Sequence, residues 1–241
     1  MIIYGKNAVL ESLRADKAIY SIFIQDRFAD KPGEVELLAK RKNVKIKYCP
    51  KEELRSLCGD EHHQGFVAEC EDFVYCELED IFDYAASKHE QPFLVLLDGV
   101  EDPHNLGSIV RVCECAGVHG IVIPKHNACP INSTVSKTSA GALSNVKIAR
   151  VGNLSQVVEK LKKAGVWVYA VELGGENIYR TNLKGALALV IGSEGSGVGQ
   201  LLKKRCDGVV TIPMFGVINS LNASVACGVA VFEAVRQRGE R

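Results

Sequence analysis

Apolar positions along the chain fall into two regimes. Through residue 70, short apolar runs alternate with segments of helical spacing. Val9, Leu10 and Leu13 mark a first helix and Ser21-Ile22-Phe23-Ile24 a strand. A helix over 35–42, a strand over 44–48, a helix over 51–58 and a strand over 65–70 follow. That alternation predicts a small α/β unit able to fold alone. The stretch 71–91 is acidic and weakly periodic, with Leu78, Ile81, Phe82 and Ala85 predicting a connecting helix.

Beyond it the runs become continuous. Phe93-Leu94-Val95-Leu96-Leu97, 120–124, 166–171, 187–191 and 209–214 read as strands buried on both faces, the mark of a parallel sheet. Between them, Asp102-Pro103-His104-Asn105-Leu106-Gly107 enters a helix whose apolar face is Leu106, Ile109, Val110 and Cys113, with Asn105 suited to its N-cap and Gly117 at its end. Further helices are expected over 157–164 and 200–205. A last helix is opened by Ile218-Asn219-Ser220-Leu221-Asn222-Ala223-Ser224, and its end carries Arg236, Arg238 and Arg241. The fold class is therefore α/β, a mainly parallel sheet with helices on both faces behind a smaller domain.

Composition narrows the chemistry only a little. Of 241 residues 47% are hydrophobic and 24% charged, which is ordinary for a folded globular chain. No apolar run approaches a membrane span and no secretory core is visible at the start, so a cytoplasmic protein without membrane partners is expected. Nine cysteines without Cys-x-x-Cys spacing read as reduced thiols, and the adjacent His62 and His63 do not make a metal site. The formal net charge of +0 hides an asymmetry: the first 90 residues hold 13 Lys and Arg against 18 Asp and Glu, the remainder 16 against 11. Two domains follow from this more readily than a ligand does. The run Lys40, Arg41, Lys42 with Lys45 and Lys47 is either a phosphate-facing patch or a solvated face.

Two strand ends and a helix start, rich in Gly, Ser and Asn, converge between Leu187 and Ser224 and predict a small-molecule pocket at the carboxyl edge of the sheet. The glycines of Gly192-Ser193-Glu194-Gly195-Ser196-Gly197-Val198-Gly199 lack the spacing and setting of a dinucleotide-binding turn, and no Gly-Lys-Ser/Thr occurs. Lys137-Thr138-Ser139-Ala140-Gly141-Ala142 is a small-residue run where backbone can approach a ligand or another helix. Arg111 lies off its helix's apolar stripe, beside His104, Ser108 and Cys115, and is not placed there to pack.

Four ordered stretches, Asp102 to Arg111, Lys137 to Ala142, Ile191-Gly192-Ser193-Glu194-Gly195, and Ile212-Pro213-Met214 with Ser220-Leu221-Asn222-Ala223-Ser224, resemble the motifs of the SpoU family of RNA ribose 2′-O-methyltransferases. Upstream, Tyr4-Gly5-Lys6-Asn7-Ala8-Val9 and His63-Gln64-Gly65 resemble the substrate-binding domain of members that methylate a guanosine of large-subunit ribosomal RNA. Ala223 stands where the family usually has Val. The resemblance implies an N-terminal RNA-binding domain over 1–72, a linker over 73–90 and a catalytic domain over 91–241. It also implies S-adenosylmethionine as cofactor, a homodimer, ribosomal RNA as partner, no metal, and a deep trefoil knot that periodicity alone does not suggest. A transfer RNA methyltransferase and a catalytically inactive RNA-binding assembly factor are the alternatives.

The same resemblance places the cofactor against Gly192, Gly195, Ile212, Met214, Ser220, Leu221 and Asn222. It makes Asn105, Arg111, Glu194 and Asn222 the catalytic candidates, and Arg111, Lys40, Arg41 and Lys42 the RNA contacts. Arginine is effectively always protonated, so Arg111 is better suited to clamping a phosphate than to serving as a base. Glu194 is the alternative base. The expected arrangement has Asn105 and Glu194 holding Arg111 and the reacting oxygen in register, with Asn222 free to cap the last helix, to contact the reacting groups, or both.

Overall fold

The first alternating stretch forms β1 (Ile2–Tyr4), α1 (Lys6–Arg14), β2 (Ile19–Gln25), α2 (Glu34–Arg41), β3 (Lys45–Cys49), α3 (Lys51–Cys58) and β4 (Phe66–Cys70). In the sheet order β1-β4-β2-β3, β2 and β3 are parallel and β4 is antiparallel to β1 and β2. The period-two alternation of β2 sends Ile22 and Ile24 to one face, where Val9, Leu10 and Leu13 of α1 and Val35 and Ala39 of α2 cover them. Leu54 of α3 packs on the other face against Tyr4 and Val67. The result is an α/β/α layering within the expected α/β unit. β1 escapes sequence reading because three residues show no periodicity. The computed structural model describes every residue except Asp16, Lys17, Lys31, Glu240 and Arg241, so the expected cation at Arg241 lies outside the described residues.

The chain continues through α4 (Leu78–Ser87), β5 (Phe93–Asp98), α5 (Pro103–Cys115), β6 (Gly120–Pro124), α6 (Ser133–Thr138), β7 (Lys147–Val151) and α7 (Leu154–Lys163). It ends with β8 (Trp167–Asn177), β9 (Leu187–Gly192), α8 (Gln200–Arg205), β10 (Gly208–Thr211) and α9 (Ala223–Arg238). Six strands form one sheet in the order β10-β8-β9-β5-β6-β7, with every pairing parallel. Leu94, Leu96, Val122, Val168, Ala188 and Val190 point to one face, where α4, α7 and α8 pack. The alternate residues face α5 and α9.

Three local expectations are corrected. The N-cap of α5 is Asp102, whose carboxylate accepts from His104 N and Asn105 N at 3.2 Å each, with Pro103 at the first helical position; Asn105 sits one turn inside. The strand expected over 209–214 ends at Thr211, two residues before Pro213, which has no N–H for a ladder. The last helix starts at Ala223, not near Ile218.

By contacts the chain forms two units, Met1–Val74 with Pro130–Asn145, and Tyr75–Cys129 with Val146–Arg241. The segment Pro130–Asn145, which the expected boundaries assign to the second domain, thus packs with the first unit. Lys137 Nζ donates to Asp60 Oδ2 at 2.7 Å, and the same carboxylate accepts from the Tyr4 hydroxyl at 3.0 Å and from His62 N at 2.7 Å. Lys137 and these N–H and O–H donors hold the Asp60 carboxyl well below the usual range. Burial, together with Asp60, pushes the Tyr4 phenol up to about 12. The small-residue run finds its reason here: a Cβ on Gly141, which has φ +98, would collide with Glu11 of α1. His63 is buried and accepts from Gly65 N at 3.0 Å, a turn-forming role.

Candidate functional site

β5 is the switch point of the larger sheet. From it the chain proceeds to β6 and β7 on one side, while β9 and β8 lie on the other. Ligand crevices in such sheets form beyond the carboxyl ends of the strands. There Asp98 stands opposite Gly192 in register. The loop after β9 is held by two carboxylates: Gly199 N donates to Asp98 Oδ2 and Val198 N to Glu172 Oε2, each at 2.8 Å. Gly192 cannot carry a side chain, because its Cβ would run into the backbone of Gly197, which itself has φ +64 and lies against the Glu172 carboxylate.

All seven residues expected at the cofactor line one cavity of about 480 Å³: Gly192, Gly195, Ile212, Met214, Ser220, Leu221 and Asn222. Its apolar walls, from Ile191, Ile212, Met214 and Leu221, suit a flat heterocycle. Among the described residues that line it, Glu172 and Glu194 are the only ones with ionisable side chains. A nucleoside bearing a positively charged sulfonium fits that combination of size, apolar walls, strand-end backbone and negative charge.

Glu194, Asn105 and Asn222 meet where this cavity adjoins a second one. Asn105 Nδ2 donates to Glu194 Oε1 at 3.0 Å, and Asn222 Nδ2 donates both to Asn105 Oδ1 at 2.8 Å and to Glu194 Oε1. Asn222 Oδ1 meanwhile accepts from Ser224 N at 2.9 Å, Ser224 Oγ at 2.6 Å and Val225 N at 3.3 Å, capping α9. The cap and the polar cluster are thus two uses of one amide. Glu194 Oε1 is held by two amides, and among the described residues Oε2 has no donor of its own.

Arg111 does not join this cluster. It is exposed and makes no hydrogen bond or ion pair among the described residues. Six residues along α5 from Asn105 place it about 9 Å away along the axis and about 120° around it, so Asn105 and Glu194 do not hold it as expected. Lys40, Arg41 and Lys42, in the first unit, are all exposed at the carboxyl end of α2, where cations also suit the helix dipole; Lys42 Nζ donates to Ala15 O at 3.0 Å. Lys47 pairs with Glu53 at 2.8 Å.

Sequence reading missed Asp98 and Glu172. Asp98 had a signal, a carboxylate ending a fully apolar strand at a switch point. Glu172 had a weaker one, since β8 runs past the apolar stretch that was legible and carries it beside the loop.

The SpoU rRNA Methylase family matches residues 92–232, and an RNA 2′-O ribose methyltransferase substrate-binding family matches residues 2–76. The chain is 40% identical to the 23S rRNA (guanosine-2′-O-)-methyltransferase RlmB of Vibrio cholerae, over 98% of this chain and 97% of that protein. It is 42% identical to YacO of Bacillus subtilis, which bears a TrmH family tRNA/rRNA methyltransferase name, over 98% of this chain and 95% of the relative. Among solved structures, the methyltransferase AviRb of Streptomyces viridochromogenes in complex with AdoMet superposes with a TM-score of 0.81 at 23% identity, covering 98% of this chain and 89% of that one. The two share the fold.

Proposed function

Because the chain belongs to the SpoU rRNA methylase family, we propose that it transfers a methyl group from S-adenosylmethionine to the ribose 2′-hydroxyl of a guanosine in large-subunit ribosomal RNA. The observation that carries this reading is the Asn105–Glu194–Asn222 cluster in the wall between the two cavities. When bound, the cofactor supplies a methyl group activated by its sulfonium.

The protein's own groups do the rest. Gly192, Gly195, Ser220 and the backbone at Ile212 and Leu221 hold the cofactor. Asn105 and Asn222 fix the Glu194 carboxylate through Oε1, so that Oε2 accepts the proton of the 2′-hydroxyl. Arg111, exposed and unengaged, clamps an RNA phosphate with its planar fork. The first unit, with Lys40, Arg41 and Lys42, captures the RNA, and residues 91–241 carry the chemistry.

Two further features of the family are proposed with it. The chain after β10 returns to set Asn222 against Glu194, and we assign the trefoil knot to this return; a crystallographic trace through residues 187–223 tests it. Val225 and Phe232 leave an apolar stripe on α9, 50% and 49% exposed, and we assign it to a homodimer. Sedimentation equilibrium tests that, with a wild-type monomer ruling the dimer out.

Transfer of tritiated methyl groups to unmodified ribosomal and transfer RNA, followed by mapping of ribose methylation, tests the activity. Methylation of a large-subunit guanosine is expected. Methylation of transfer RNA alone would replace the substrate, and RNA binding with no transfer to either would leave a binding factor.

A further inference from the structure

The second cavity opens at the carboxyl end of β5 with a volume of about 600 Å³. It shares Ser193, Glu194, Gly197 and Ala223 with the cofactor cavity. A nucleotide whose ribose reaches Glu194 from this side places its base inside. This step rests on the proposed methyl transfer.

The lining decides what can enter. Its ionisable residues are Asp98, Glu101, Asp102 and Glu194, all carboxylates. A phosphate is repelled there, while a neutral group that presents N–H donors is attracted. Among the described residues no group of three acidic, His or Cys side chains is arranged to hold a metal ion.

Three of the four carboxylates are already engaged. Asp98 holds Gly199 N, Asp102 caps α5, and Glu194 receives both amides. Glu101 makes no hydrogen bond or ion pair among the described residues, and the same holds for the Asn127 side chain, set at a backbone φ of 55.

We infer that Glu101 selects the acceptor base by reading its Watson–Crick edge, and that the base it selects is guanine. Guanine is the one RNA base whose edge carries two adjacent donors, N1–H and the N2 amino group, which a carboxylate meets with both oxygens. Adenine and cytosine offer an amino group beside a bare ring nitrogen, whose lone pair faces the second carboxylate oxygen. Uracil offers one N–H between two carbonyl oxygens. The Asn127 amide donates to guanine O6, the remaining polar atom of that edge. Reading an extruded base through this edge is how enzymes acting on single nucleotides discriminate.

The test uses the full-length enzyme and an RNA assembled with guanosine or inosine at the position that wild type methylates. Inosine lacks only the N2 amino group. Wild type is expected to prefer guanosine in kcat/KM by about tenfold, the worth of one hydrogen bond to a charged acceptor at a partly open site. Glu101→Gln, whose amide can accept only one of the two donors, is expected to bring the ratio close to one, with the melting temperature and the affinity for S-adenosylmethionine unchanged. Equal use of the two RNAs by wild type, or an unaltered preference in Glu101→Gln, overturns the assignment while the methyl transfer stands. Absence of transfer by wild type to any RNA removes the proposed activity and this assignment together.

Discussion

Substitution of Asn222 separates the two roles its amide plays. Asn222→Ser keeps a hydroxyl oxygen that can accept from Ser224 N and Val225 N, so the cap on α9 survives. It loses the Nδ2 donors that bind Asn105 Oδ1 and Glu194 Oε1, and its shorter side chain does not reach them. Asn222→Ala loses both. Loss of a cap costs about 1 kcal/mol, and in a unit of this size that lowers the melting temperature by about 2–4 °C. Misplacing the reacting group by an ångström costs about 10²-fold in rate. Asn222→Ser is therefore expected to melt within about 1 °C of wild type, on the few-tenths kcal/mol scale of cap-to-cap exchange, yet to turn over about 10²-fold more slowly. Asn222→Ala is expected to be as slow and to melt lower. Asn222→Asp keeps the cap but sets a second carboxylate against Glu194, and is expected to be the slowest. Differential scanning fluorimetry and tritiated methyl transfer measure the two axes. Full turnover in Asn222→Ser, or equal melting of the Ser and Ala variants, would refute the division of labour.

In the first unit, Asp60→Asn removes a charge that accepts from Lys137, Tyr4 and His62 N. A cost of about 2 kcal/mol is expected at pH 7, after screening at a quarter-exposed pair. The folded-state carboxyl is depressed, so its contribution is present above the unfolded value of about 3.9 and fades as pH falls below it toward the folded value. Urea titrations of both proteins should therefore converge on acidification below about pH 4, and a gap that widened there would contradict this sign. Replacing Lys40 and Arg41 together by Ala should weaken RNA binding and reduce its salt slope by about 1–2, with cofactor affinity untouched; unchanged RNA affinity at low salt would remove the patch from the interface.

How much was legible varies by element. The strands Phe93–Asp98, Gly120–Pro124 and Leu187–Gly192 could be read directly, because a strand covered on both faces is apolar at every position. β7 could not: Lys147-Ile148-Ala149-Arg150-Val151 is short and mixes charges with small residues. The motif residues of the cofactor cavity were legible by likeness, and their convergence on one cavity follows from strand ends that parallel pairing brings level.

What the chain's order of residues determined is local and periodic: the α/β class, the capping amide of Asn222 and the glycines that leave room for a turn. What only the tertiary structure decided is which distant groups share a hydrogen bond. Asn105 and Glu194 are 89 residues apart and Asn105 and Asn222 are 117 apart, and no periodicity carries information over such separations. The carboxylate reached the two amides, and Arg111 did not, because a helix turns about 100° per residue. The face of α5 that packs fixes where each of its other residues points.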